Sequence, residues 1–246
     1  MVTTAIPSRT RWTAERRFFT GLAIAAFIVV YVGFARTFFL RPWFPDAPAP
    51  SESIFLVHGV VFACWSVLLV VQASLVALGR YAVHRTLGIV GVALAASMVV
   101  LGVAGALVAA GRSTGFVGLP VPPLQFLIVP IADMTLFATF VALAVLRRYD
   151  AQAHKRWMIL ATVNLLVAAF ARWPGVISIG NPFVYMGLAD LFIVALVAWD
   201  LRTRGRLHPA TLWGGLAVIA SQPLRLALSG TAAWLAVAGW AVSLVR

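Results

Sequence analysis

The chain has one cysteine and, among 19 Lys and Arg residues, one lysine; its acidic residues number 7, and all charged residues together make up 11%. A lone Cys64 permits neither an intramolecular disulfide nor a Cys-based zinc knuckle. Lys155 is far from the last apolar run, so a retinal Schiff base of the rhodopsin kind has no anchor there. That last run also lacks the paired histidines of the zinc-dependent membrane hydrolases. No Walker A, GxSxG, HExxH or dinucleotide-binding glycine pattern stands in a context where it would work, so a non-enzymatic protein is expected.

Hydrophobic residues fill the space the charges leave, at 62% of the chain with a mean hydropathy of +0.98. A water-soluble fold of this length could not hide so much apolar surface. A bilayer core takes about 20 apolar residues per spanning helix. Runs over 18–37, 53–78, 86–110, 122–146, 155–172, 183–200 and 210–243 predict an all-α polytopic transmembrane bundle of seven spans forming one domain, 1–246. The first run reads as a retained anchor rather than a signal peptide, because bulky Tyr31 and Phe34 stand where a small-residue cleavage site would be needed. The last run would be about 50 Å long as one helix, well beyond a core of about 30 Å. It is expected to bend at Pro223 and Gly230 and to project past the outer surface, with Trp234 and Trp240 at the interface.

The net charge of +12 would suggest a nucleic-acid partner in a soluble protein. Here the basic residues sit in short clusters between apolar runs, where they meet lipid headgroups and set orientation, so no nucleic acid is expected. With the sides alternating, thirteen fall on one face: Arg9, Arg11, Arg16, Arg17, Arg80, Arg85, Arg147, Arg148, Lys155, Arg156, Arg202, Arg204 and Arg206. Five fall on the other (Arg36, Arg41, Arg112, Arg172 and Arg246), and Arg225 lies within a run. The asymmetry places the N-terminus inside and the C-terminus outside. The excess of arginine over lysine suggests a GC-rich genome and a bacterial plasma (inner) membrane.

Three loops on the inner side share a pattern of a basic residue, a short turn and a histidine before an apolar helix: LGRYAVHRTLG, LRRYDAQAHKRWM and LRTRGRLHPATLW. They suggest three related helical hairpins behind one N-terminal span. His84, His154 and His208 at equivalent helix starts could converge on a divalent metal, or two of them could clamp a haem; capping and headgroup anchoring are the plainer roles.

Ionisable residues inside spans are costly and mark sites by default. His58, Asp133, Arg172, Asp190 and Arg225 are such residues, and counting from helix ends puts all of them toward the outer half. Two readings stand side by side. One is a buried ion-pair network, with Asp190 pairing with Arg225. The other is an outward-facing polar pocket, further lined by Gln125, Asn164, Tyr185 and Gln222, that binds or passes a small ligand, lipid headgroup or proton. Pro130, three residues before Asp133, is expected to loosen that helix.

The stretch running from His58 through Trp65 and Gln72 to the GRxxxHRxxG of Gly79 to Gly88 resembles an uncharacterised family of polytopic bacterial inner-membrane proteins. The resemblance implies a membrane protein and carries no activity with it. Besides the outward pocket, the sequence leaves a membrane redox protein with haem, quinone or metal at the inner histidines, and an assembly subunit whose last helix meets a membrane partner.

Overall fold

In the computed structural model, residues 8–47, 52–117, 119 and 121–245 are described, with side chains from residue 13 onward. Arg246 of the outer group lies outside them, and so do the side chains of Arg9 and Arg11. Over these residues the only regular structure is helical, joined by short loops: α1 (Ser8–Phe34), α2 (Ser53–Ala77), α3 (Tyr81–Gly111), the single turn α4 (Pro123–Phe126), α5 (Ile128–Leu146), α6 (Ala151–Phe170), α7 (Pro182–Arg204), α8 (Pro209–Leu228) and α9 (Ala232–Ser243). Each of the seven apolar runs is helical. Five helical segments are long and apolar enough to cross a membrane, and the α8–α9 pair makes a sixth when counted as one broken span. The outward faces are apolar as a bilayer requires, with Ile89, Val100, Leu146 and Trp213 all exposed.

Helix α6 is the hub. It packs against α1, α5, α7 and α8. Its polar residues Arg156, Thr162 and Asn164 are turned inward and buried, which fits a helix with this much polar sequence to the centre of the bundle. Small residues let its neighbours approach. On α1, Ala23 and Ala26 are buried, and a Cβ on Gly33 would collide with the backbone of Ala169 on α6. Gly214 of α8 meets Leu160 and Trp157 of α6 in the same way. Across the bundle, the Trp65 indole N–H of α2 donates to the Thr162 hydroxyl at 3.1 Å, a buried polar tie between otherwise apolar faces.

The helix ends follow local chemistry. Gly79, with φ +73°, ends α2, and the bond from Arg80 N–H to Leu75 O at 2.8 Å closes the turn that a left-handed residue permits. Asp150 caps α6 by accepting from the backbone N–H groups of Gln152 and Ala153. Pro130 falls three residues after an interruption at Leu127 in the helical segment Pro123–Leu146, where its missing N–H costs little, so the helix is loosened on the N-terminal side of Asp133.

The expected bend in the last run is present at Gly230 but not at Pro223, and it is sharp enough to make two helices. Pro223 lies within α8, which runs on to Leu228; the break comes at Ser229–Thr231, and α9 leaves at 90°. Nor does α9 project away. It packs on α3 and α4, where Ala238 and Val242 are buried with Ala106, Ala110 and Leu127, and the Trp234 indole donates to Leu124 O at 2.8 Å.

Candidate functional site

The few acids of this chain are nearly all engaged. Glu52 pairs with Arg112 at 2.7 Å, Glu15 with Lys155, Asp133 with Arg225 at 2.6 Å, and Asp200 with Arg156; Asp150 caps α6, and Asp190 accepts from the Gln222 amide at 2.9 Å. Three of the ion pairs, those of Glu15, Asp133 and Asp200, join long helices distant in sequence. In a bilayer, where lipid cannot compete for hydrogen bonds, such contacts define which helix faces meet.

At one end of the bundle, α5, α6, α7 and α8 bring polar groups together around one turn of α8. The Arg225 guanidinium donates to Asp133 Oδ1 and, through Nη2 and Nε, to the hydroxyl and carbonyl of Ser221 at 2.8 and 3.2 Å. Asn164 donates to the backbone carbonyl of Asp133 at 2.8 Å, while its own Oδ1 is buried with no hydrogen-bond partner. One turn along the same face of α8 from Arg225, Gln222 holds Asp190. The expected pairing of Asp190 with Arg225 is therefore corrected: the arginine is taken by Asp133, and Asp190, half-buried, forms no ion pair among the described residues.

The other two residues expected in the site stand apart. His58 of α2 stacks on Phe62 with ring centres 3.9 Å apart, its ring lying against the backbone of Leu101 without a well-formed hydrogen bond from Nδ1. Arg172 is exposed past the end of α6, donating to Ala168 O at 2.6 Å and lying over the Phe34 ring at 4.9 Å. Neither makes a hydrogen bond or ion pair to Asp133, Asp190 or Arg225. Gln125 and Tyr185 form no hydrogen bond with the cluster either.

At the opposite end of the bundle the structure contains a network that sequence reasoning missed. Arg156, read as a headgroup anchor, is fully buried, as is Asp200 of α7. Besides the ion pair, Arg156 Nη1 donates to the backbone and side-chain oxygens of Gln152, both at 2.8 Å. Asp200 Oδ2 accepts from the Thr211 hydroxyl at 2.7 Å and the His208 backbone N–H at 3.0 Å, tying in the start of α8. Gln152 continues to Glu15 on α1 at 2.8 Å. The scarcity of acids was the available signal, since an acid near a helix end in so basic a chain is apt to be a tether.

The three histidines do not share a site. His208 precedes its helix and caps it, Nδ1 accepting from Ala210 N–H at 3.0 Å, whereas His84 and His154 are each the fourth residue of theirs. Those two rings meet, with centres 6.2 Å apart and planes at 87°. Among the described residues, no group of three or more His, Cys, Asp or Glu is placed to hold a metal ion.

Burial, then the Arg156 and Arg204 cations, hold the His208 imidazole below its usual range, against the pull of Asp200 and Asp150. The neutral ring is also the form that can accept from Ala210. Below a pH of about 6.5 the unfolded chain gains a proton at this position that the folded chain does not take, so stability falls as the solution is acidified. His208→Asn, which keeps a capping acceptor without a titrating ring, is expected to match the parent at neutral pH and to lose less stability between pH 7 and 5 in detergent melts. Parallel curves would contradict this role.

These features define an all-helical, membrane-type bundle with polar ties at both ends. No family model matches the chain, and no curated protein or solved structure matches it either.

Proposed function

We propose that the protein is a seven-span bundle of a bacterial plasma membrane, N-terminus inside, whose outer-half cluster at Asp190 exchanges a proton with the outer side. In this reading α6 is the span that hydropathy understates, and α9 lies along the outer surface. The whole chain forms one domain. The observation that carries the functional part is Asp190 itself: a half-buried carboxylate on a spanning helix, held by a neutral amide and by no cation among the described residues. Charge at bilayer depth is costly enough that an unneutralised acid there marks a proton or ion path. The partners stand in direct contact, at 2.6 Å for Asp133–Arg225 and 2.9 Å for Asp190–Gln222, so a proton suits the cluster better than a lipid headgroup or larger ligand.

Dicyclohexylcarbodiimide, which attacks protonated carboxyls in apolar surroundings, is expected to modify Asp190 of the liposome-embedded chain and to leave guanidinium-bound Asp133 and Asp200 intact, as read by peptide mass mapping. Proton entry into dye-loaded liposomes is expected to fall to the protein-free level in Asp190→Asn. Labelling of Asp133 as readily as Asp190 would remove the site, and undiminished flux in Asp190→Asn would remove the function.

A further inference from the structure

We propose that His84 and His154 are the two axial ligands of a haem iron, bound at the inner ends of α3 and α6. Two imidazoles on opposite sides of one metal ion, with metal–nitrogen bonds of about 2 Å and each nitrogen about 1.2 Å from its ring centre, place those centres about 6 Å apart. The observed separation is 6.2 Å, with the planes crossed at 87°.

The hydrogen bonding leaves a ligating nitrogen free on His154. His154 Nδ1 lies 2.9 Å from the carbonyl oxygen of Ala144, which can only accept, so Nδ1 carries the proton and Nε2 keeps its lone pair. A carbonyl behind the ring is the usual way a ligating histidine is oriented. His84 Nδ1 is buried without a well-formed hydrogen bond, the ring lying against the backbone of Gln72. Gln72 fixes this turn of α3 by donating to the His84 carbonyl at 3.2 Å, and its own Oε1 is a second buried acceptor without a donor at the same place.

Ligand count then selects the occupant. A bare divalent ion wants about four protein ligands or three with a water, and no third His, Cys, Asp or Glu joins this pair among the described residues. A porphyrin brings its own four nitrogens and asks the protein only for axial groups. The surroundings fit its acidic edge as well. Arg80, Arg85, Arg147 and Arg148 are exposed in the two loops that flank the histidines, and none is in an ion pair with an acid of the described chain. They suit propionates at the membrane surface.

The full chain in detergent, titrated with haemin, is expected to saturate at one haem per chain with a low-spin spectrum, and electron paramagnetic resonance of the ferric form is expected to show bis-imidazole ligation. His84→Met and His154→Met are each expected to weaken binding by at least about tenfold or to change the spin state. His208→Asn, whose ring lies elsewhere, is expected to bind as the parent does. The parent spectrum alone suffices if a variant fails to fold: absence of a saturable Soret band, or high-spin iron, overturns the proposal. So does unchanged binding in both folded methionine variants, and so does stoichiometric zinc in place of haem.

Discussion

Asp200→Ala is expected to destabilise the folded protein by about 3–5 kcal/mol, the usual consequence of removing one partner of a buried ion pair. The size follows from what is stranded. Arg156 is fully buried in the centre of the bundle, and the Thr211 hydroxyl and His208 N–H lose their acceptor at the same stroke. Asp200→Asn, which keeps oxygen acceptors for those two groups, is expected to lose less. The double variant Arg156→Met/Asp200→Leu is expected to recover most of the loss, because similar-volume apolar pairs often replace buried ion pairs without penalty. Denaturation in mixed detergent, followed by helicity, measures all three. If the double variant were as unstable as the single one, the network would owe its effect to packing rather than to uncompensated charge.

The second large effect concerns which acid holds Arg225. In a double-mutant cycle, Asp133→Asn with Arg225→Gln is expected to show a coupling of about 2–3 kcal/mol, and Asp190→Asn with Arg225→Gln less than about 0.5 kcal/mol. The contrast separates direct contact at 2.6 Å from proximity along the face of α8. Equal couplings would mean that both carboxylates share the guanidinium, and Asp190 would lose its standing as the acid without a cation.

That contrast also shows where sequence reasoning stops. Runs ending in charge or a turn residue are legible, and α2 and α7 begin within a residue of their apolar runs, because there the end of the apolar run and the end of the helix coincide. They diverge at α1, which begins ten residues before its run, and at α6, which begins at its Asp150 cap; in both, helix extends into polar sequence that the cap or neighbouring helices support. That Asp133, Asp190 and Arg225 lie near one level of the bundle was legible, because residues can be counted along an axis. Partner choice was not, since it depends on how each helix is rotated about that axis. Arg156 and Lys155 make the point within two residues: neighbours on a helix point about 100° apart, so one enters the core toward Asp200 and the other reaches Glu15. Histidine register failed for a related reason. The three loops align by eye, yet His208 caps a helix, whereas His84 and His154 sit one turn inside theirs.

The burial of α6 bears on how the chain is made. A segment that opens with His154, Lys155 and Arg156 and carries Asn164 near its middle is the one a lipid phase accepts least readily by itself. Its guanidinium is neutralised by Asp200, which lies 44 residues further on and leaves the ribosome later. Glu15, by contrast, is synthesised long before and is waiting on α1. The early acid and the late one bracket the helix in time as well as in space. In the order of synthesis, then, α6 has its α1 partner first, and the second carboxylate comes only with α7.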